Sequence, residues 1–199
     1  LMKGGLSHEQ QQRVVLSMFG LWVLMGIGFI ASTMHLGSPM RAFNSLNRVG
    51  ASSLSNEIAS GSLFFAVGGL WWLVAFLGRM PATLGKIWLL LSMLLGLVFV
   101  FAMTNVYQID TVPTWYNGYT TLAFFMTMLL SGPLFAALLL RAAGVSFNAA
   151  RFAGISVLAL LVTVAVIVLQ GLSLGEIHSS VQSASALVPD YGSLQVWRV

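Results

Sequence analysis

The sequence predicts an all-α protein, a polytopic bundle of transmembrane helices, and three observations support this fold class. Hydrophobic residues make up 58% of the 199 residues and charged residues only 7%, whereas charged residues form about a quarter of an ordinary soluble domain. Five stretches contain no charged side chain, and each has the roughly 20 residues that a helix needs to cross a bilayer. The remaining polar segments separate these stretches, which predicts loops between five spans.

The predicted spans and one interfacial helix account for most of the chain. In chain order the spans are 14–34, 58–77, 87–107, 122–140 and 152–172. The Gly132-Pro133 pair predicts a kink in the fourth span. In the tail, apolar residues recur at helical spacing over 176–188, which indicates a helix lying on the membrane surface. Because the chain starts at Leu1 and stops at LQVWRV, we expect a single transmembrane domain that is truncated at both ends.

Charge and cysteine content exclude several classes of partner and cofactor. The net charge of +4 comes from scattered single Lys and Arg residues rather than from a basic patch, so nucleic acid is not an expected partner. The chain has no cysteine and therefore cannot hold an iron–sulfur cluster by thiolates; such a cluster must belong to a partner. A b-type haem needs two axial ligands, usually histidines, and no predicted span has a histidine in its interior, so neither haem nor another metal is expected.

The basic residues predict the orientation in the membrane. Five spans divide the loops into two sets. One set contains Lys3, Arg13, Arg79, Lys86, Arg141 and Arg151, and the other contains Arg41, Arg48 and Arg198. The positive-inside rule makes the richer set cytoplasmic. In the inner membrane of a bacterium, the segment 35–61, the 108–121 loop and the C-terminal tail are then predicted to be periplasmic.

Residues 35–61, which we call the hinge, hold most of the side chains that can do chemistry. His35 opens this segment, and Glu57 lies near its end. If consecutive helices are antiparallel, these two residues lie at similar depth and are predicted to flank one flat ligand, a quinol. Quinol oxidation needs hydrogen-bond partners for two ring oxygens and bases for the released protons, and histidine, with an ordinary pKa of about 6.5, suits this task. The wider quinol pocket, or a partner-docking surface, is predicted to include Ser32, Arg41, Arg48, Asn56, Gly61 and Phe64.

Structural explanations remain open for the same residues. Glu57 at a helix start would complement the helix dipole and cap free N–H groups, and His35 at a membrane boundary is an ordinary amphipathic side chain. A passive anchor without quinol chemistry is therefore an alternative function. A small-solute transporter is a second alternative, but such proteins place ionisable groups near mid-membrane, and here these groups lie at span ends.

Several sequence motifs resemble one protein family over nearly the whole chain. The motifs are MFGLWVLMGIGFIAS, HLGSPMRAFNSLNRVG, SNEIASGS, DTVPTWY, IHSSVQ and ALVPDYG. They are similar to the membrane-anchor subunit of bacterial anaerobic dimethyl sulfoxide reductase, the DmsC-type family. The resemblance implies a bundle of about eight spans that anchors a molybdopterin catalytic subunit and an iron–sulfur subunit at the periplasmic face. It also implies menaquinol oxidation in anaerobic respiration without haem or a terminal reductase site of its own, with His35 and Glu57 at the quinol site.

Overall fold

The computed structural model describes residues 5–34 and 37–174, and all regular secondary structure in this part of the chain is helical. The six α-helices are α1 (His8–Ser17), α2 (Phe19–Met34), α3 (Ser53–Phe76), α4 (Ala82–Val106), α5 (Gly118–Ala142) and α6 (Ala149–Leu174), and a 3₁₀ helix spans Pro39–Arg48. Five helical stretches are long and apolar enough to cross a membrane, with α1 and α2 forming one of them. The predicted fold class is therefore confirmed.

The first span starts from a well-formed helix cap. Ser7 Oγ accepts a hydrogen bond from the backbone N–H of Gln10, and the Gln10 side chain accepts one from the Ser7 N–H. This reciprocal pair is a capping box, which satisfies N–H groups that the first helical turn leaves unpaired. The Met18 N–H donates to the Val14 carbonyl, and the Leu21 N–H donates to the Met18 carbonyl. Hydrogen bonding thus continues from α1 into α2.

The described residues divide into two compact units, each with its own packing. The first contains the helices up to Met103 together with Ala136–Phe147, and the second contains Thr104–Phe135 and the described residues from Asn148 onward. The second unit is stabilised by a hydrogen bond from Ser156 Oγ to the Leu130 carbonyl at 2.8 Å. Pro133 lies inside α5, which remains helical through that position.

Three tryptophans hold the helices of the first unit together. The indole N–H of Trp71 donates to the Gly85 carbonyl at 2.9 Å, that of Trp72 to the Val15 carbonyl at 2.6 Å, and that of Trp88 to the Val67 carbonyl at 2.8 Å. Trp71 is buried, Trp72 and Trp88 are partly buried, and each indole satisfies its one donor. These contacts fix α1, α3 and α4 relative to one another and so position the residues around the hinge.

Two sequence predictions fall on residues that the structure does not describe. The interfacial helix over 176–188 lies outside the described residues, and so does His35. The hinge itself differs from the polar loop that the sequence suggests. Its middle is the 3₁₀ helix, and α3 already begins at Ser53, before the predicted span start at Ile58.

Candidate functional site

A cleft of about 470 Å³ lies where the end of α2, the hinge 3₁₀ helix and the start of α3 meet. Its lining includes Gly28, Phe29, Ser32 and Thr33 from α2, Ala42 and Ser45 from the 3₁₀ helix, Leu54 and Glu57 from α3, and Phe99 from α4. The described part of this lining is mostly apolar, with a few hydroxyl groups and one carboxylate. A cavity of this size falls in the range of small-molecule sites, roughly 300–1,000 Å³, and such sites combine apolar walls with a few placed polar groups.

Among the described residues that line the cleft, Glu57 is the only ionisable one, and it is half-buried. It does not cap α3, because Ser52 occupies the N-cap position and its Oγ accepts from the Ser55 N–H at 3.5 Å. The first turn of α3 contains no acidic residue. Within the described parts of the chain, Glu57 has neither an ion-pair partner nor a side-chain hydrogen bond. Helix capping therefore does not explain the carboxylate.

Asn56, next to Glu57, shapes the turn that leads into α3. Its Oδ1 accepts a hydrogen bond from the Gly50 backbone N–H at 2.6 Å. Gly50 has φ of +89°, a conformation that residues with a Cβ rarely adopt. The Asn56 side chain is thus committed to the backbone of the hinge, and it holds the end of the 3₁₀ helix against the first turns of α3.

An aromatic cluster forms the floor of the cleft. Phe29 and Phe99 stack with ring centroids 6.4 Å apart, and Phe64 stacks on Phe99 at the same distance. A Cβ at Gly61 would lie 2.6 Å from Phe99 Cε2, so the glycine allows the rings of α2 and α4 to approach α3. Gly61 and Phe64 therefore belong to the packing beneath the cleft and do not line its open volume. At Gly28, by contrast, a Cβ would meet no atom within 4 Å.

The two hinge arginines lie outside the cleft. Arg41 and Arg48 are both exposed on the 3₁₀ helix, and neither lines the cavity. The only ion pair among the described residues joins Arg13 to Glu9 at 3.3 Å, so neither hinge arginine has an acidic partner there. Their positions fit an outward-facing surface better than a ligand pocket.

A second cleft of about 290 Å³ lies at the other end of the first unit, where α1 begins and α3 turns into α4. Its lining includes His8, Gln11, Gln12, Trp71 and Lys86. The described residues of its lining include no carboxylate, and its histidine is exposed. It therefore lacks the half-buried base that the hinge cleft has.

Sequence reasoning named some of the residues that line this cleft and missed others. Ser32 and Glu57 line one cleft, while Asn56, Gly61 and Phe64 surround or support it. Phe99 was missed because no local pattern indicates that α4 reaches the hinge. Ala42 and Ser45 were missed because the hinge was interpreted as a loop. No group of three or more His, Asp or Glu side chains suited to a metal ion occurs in the described ranges.

The fold defines a class, a helical membrane protein, and the hinge cleft is its candidate small-molecule site. The family model of the DMSO reductase anchor subunit (DmsC) matches residues 1–199. The protein therefore belongs to the DmsC family of DMSO reductase anchor subunits, as the sequence motifs predicted.

Curated relatives agree with this family. The sequence is 75% identical to the YnfH subunit of anaerobic dimethyl sulfoxide reductase from Escherichia coli, over 97% of this protein and 68% of the relative. It is 62% identical to the C subunit of anaerobic dimethyl sulfoxide reductase from the same organism, over 100% of this protein and 70% of the relative. The corresponding C subunit of Haemophilus influenzae is 44% identical over 92% of this protein and 66% of its own length. No solved structure matches the sequence.

Proposed function

We propose that this anchor subunit oxidises menaquinol in the hinge cleft and passes the electrons to the iron–sulfur subunit of its DMSO reductase complex. The observation that supports the proposal most strongly is Glu57, a half-buried carboxylate without a described partner in a mostly apolar cleft. Keeping a carboxylate partly away from water costs free energy unless a partner pairs with it or hydrogen-bonds to it. A quinol, which needs a proton acceptor, explains why a carboxylate lies in this cleft despite the free-energy cost of partial burial.

The shape and lining of the cleft suit a flat ring. The stacked Phe29 and Phe99 rings offer an aromatic surface for a quinol ring, and offset or edge-on contacts of this kind are favourable. The hydroxyl of Ser45 already donates to the Ala42 carbonyl, and that of Thr33 to the Ile30 carbonyl. Each of these hydroxyls has therefore used its one donor and can only accept, and the Glu57 carboxylate is a stronger acceptor than a neutral hydroxyl among the described lining residues.

The proposed chemistry assigns one proton acceptor to each ring oxygen. Oxidation of the quinol releases two electrons and two protons and leaves a quinone. In this proposal Glu57 accepts one proton, and His35, which follows Ser32 by three residues in the sequence, accepts the other. The electrons go to the iron–sulfur subunit, since the anchor has no cysteine with which to hold a cluster. Terminal reduction then takes place in the catalytic subunit.

The orientation belongs to the same proposal. The six-to-three division of basic residues favours a bacterial inner membrane protein with the hinge on the periplasmic side. The molybdopterin catalytic subunit and the iron–sulfur subunit would then bind at that face. Both electron acceptor and quinol site lie at one membrane edge in this arrangement, which keeps the path between them short.

Two alternatives make different predictions. A passive anchor would tolerate Glu57→Gln without a change in quinol-driven turnover. A small-solute transporter needs ionisable groups deep in the membrane, whereas the charged residues of the described spans lie near helix ends.

The test of the proposal is to compare quinol-driven turnover with turnover driven by an artificial donor that reduces the soluble subunits directly. Only a quinol site predicts that Glu57→Gln slows the first and spares the second.

A further inference from the structure

The hinge 3₁₀ helix presents three distinct rows of side chains. A 3₁₀ helix has three residues per turn, so every third residue lies in the same row. The apolar row consists of Met40, Phe43 and Leu46, and Val49 continues it past the helix end. These side chains are 95%, 83%, 39% and 54% exposed, respectively. Met40 and Phe43 are thus among the most exposed large apolar side chains of the described residues.

The other two rows have different environments. Pro39, Ala42, Ser45 and Arg48 form the second row, and of these Ala42 and Ser45 line the hinge cleft. Arg41, Asn44 and Asn47 form a polar row, and all three are exposed. The 3₁₀ helix is therefore a thin wall with the cleft on one side and an outward apolar row on another.

We propose that the apolar row, residues 40, 43, 46 and 49, docks the partner subunit that accepts electrons from the cleft. This inference rests on the proposed quinol function. Electron transfer slows steeply with separation, so the acceptor must approach the quinol closely. A helix with its side chains is about 10–12 Å across, and a 3₁₀ helix is slimmer. A protein bound to the apolar row is thus separated from the cleft by the thickness of this one wall.

The composition of the surface indicates the chemistry of the partner. Aromatic residues, Met and Arg are enriched at protein–protein interfaces, and this surface has Phe43 and Met40 beside Arg41 and Arg48. The 3₁₀ helix contains no acidic residue. The matching surface is expected to have an apolar pocket for the Phe43 ring and an acidic rim near the arginines.

A lipid-embedded helix is the competing arrangement, and the side chains argue against it. A helix that lies in the membrane interface presents a broad apolar face. Here the apolar face is only one row wide, because another row lines the cleft and the third is polar. A protein surface can match an apolar row that lies beside a polar row, whereas acyl chains match only an apolar face.

The test is site-specific photo-crosslinking in the intact membrane complex. A photoreactive phenylalanine analogue replaces Phe43 in the full-length subunit, and a matched analogue replaces Tyr116, an aromatic residue that is 56% exposed in the 108–121 loop. The expected result is an adduct between position 43 and the iron–sulfur subunit, with at least several-fold lower yield from position 116. Adducts at position 43 only with lipid, or only with other parts of the anchor itself, would overturn the docking proposal.

Retention of the soluble subunits gives a second readout. Phe43→Ser is expected to weaken retention on washed membranes about tenfold, as loss of a central interface anchor does, while Tyr116→Ser retains them normally. Because Phe43 is exposed, its replacement leaves no cavity, and binding of a quinol-site inhibitor should stay unchanged. Normal retention of Phe43→Ser would contradict docking without affecting the quinol assignment. Normal quinol-driven turnover of Glu57→Gln would contradict the quinol assignment and leave the crosslinking result as it stands.

Discussion

The Asn56 side chain accepts a hydrogen bond from the Gly50 N–H at 2.6 Å and so joins the hinge turn to α3 one residue before Glu57. Gly50 itself lies in the left-handed region with φ of +89°. The position of the Glu57 carboxylate therefore depends on a neighbour that does not line the cleft. This relationship separates residues that shape the site from residues that would contact a ligand.

Replacing Asn56 should loosen the hinge in a graded way. Asn56→Ala removes the acceptor of the Gly50 N–H and should destabilise the turn by about 1 kcal/mol. That loss corresponds to roughly fivefold faster hydrogen exchange in a peptide covering the hinge turn. Asn56→Asp keeps an acceptor at the same position and should exchange at close to the wild-type rate. Equal exchange in Asn56→Ala and wild type would mean that this hydrogen bond does not hold the turn.

The aromatic floor should be sensitive to a single methyl group at one glycine and not at another. Gly61→Ala places its Cβ 2.6 Å from a Phe99 ring atom, and relief of this overlap should cost about 1–3 kcal/mol. Gly28→Ala places a methyl group where no atom lies within 4 Å and should leave stability unchanged. Thermal unfolding of the purified complex measures the difference. Equal unfolding temperatures for the two variants would contradict the described packing of α3 against α4.

The predicted orientation can be tested by cysteine labelling, because the protein has no cysteine of its own. Single cysteines replace Asn44, Thr111 and Thr83, all of which are exposed. A membrane-impermeant reagent added from the periplasmic side should label positions 44 and 111 and not position 83. The cysteine at 83 should react only after the membrane is opened. Labelling of position 83 in intact cells together with protection of positions 44 and 111 would show that the orientation is the opposite of the predicted one.

The sequence predicted five long apolar helices, because long apolar stretches have few alternatives to helices in a membrane. Local structure within the hinge was harder to predict. Ser52 and Ser53 can begin a helix before the apolar run does, and α3 therefore starts earlier than the span boundary drawn at Ile58. The 3₁₀ helix starts with Pro39, a residue suited to a first helical position, but its polar composition suggested a loop.

Long-range packing set the other limit on what could be predicted. Phe99 reaches the cleft from α4 because Gly61 allows close approach, and neither residue signals this contact within its own helix. Ser32 and Glu57 could be placed together because they flank one connection between consecutive helices. The assignment of His35 to the site stays a prediction, since that residue lies outside the described residues.

The most direct measurement of the central proposal compares two electron donors in two hinge variants of the full complex. His35→Arg replaces a base by a permanent cation, and Glu57→Gln keeps the shape and hydrogen bonding of the side chain but removes the proton acceptor. Menaquinol-driven turnover should be abolished in the first variant. In the second it should fall more than inhibitor affinity does.

Turnover driven by an artificial dye that reduces the soluble subunits directly should stay at the wild-type rate in both variants, which controls for assembly of the complex. Wild-type menaquinol oxidation in both variants would contradict the quinol site at the hinge. A parallel loss of dye-driven and quinol-driven turnover would instead assign the hinge a purely structural role.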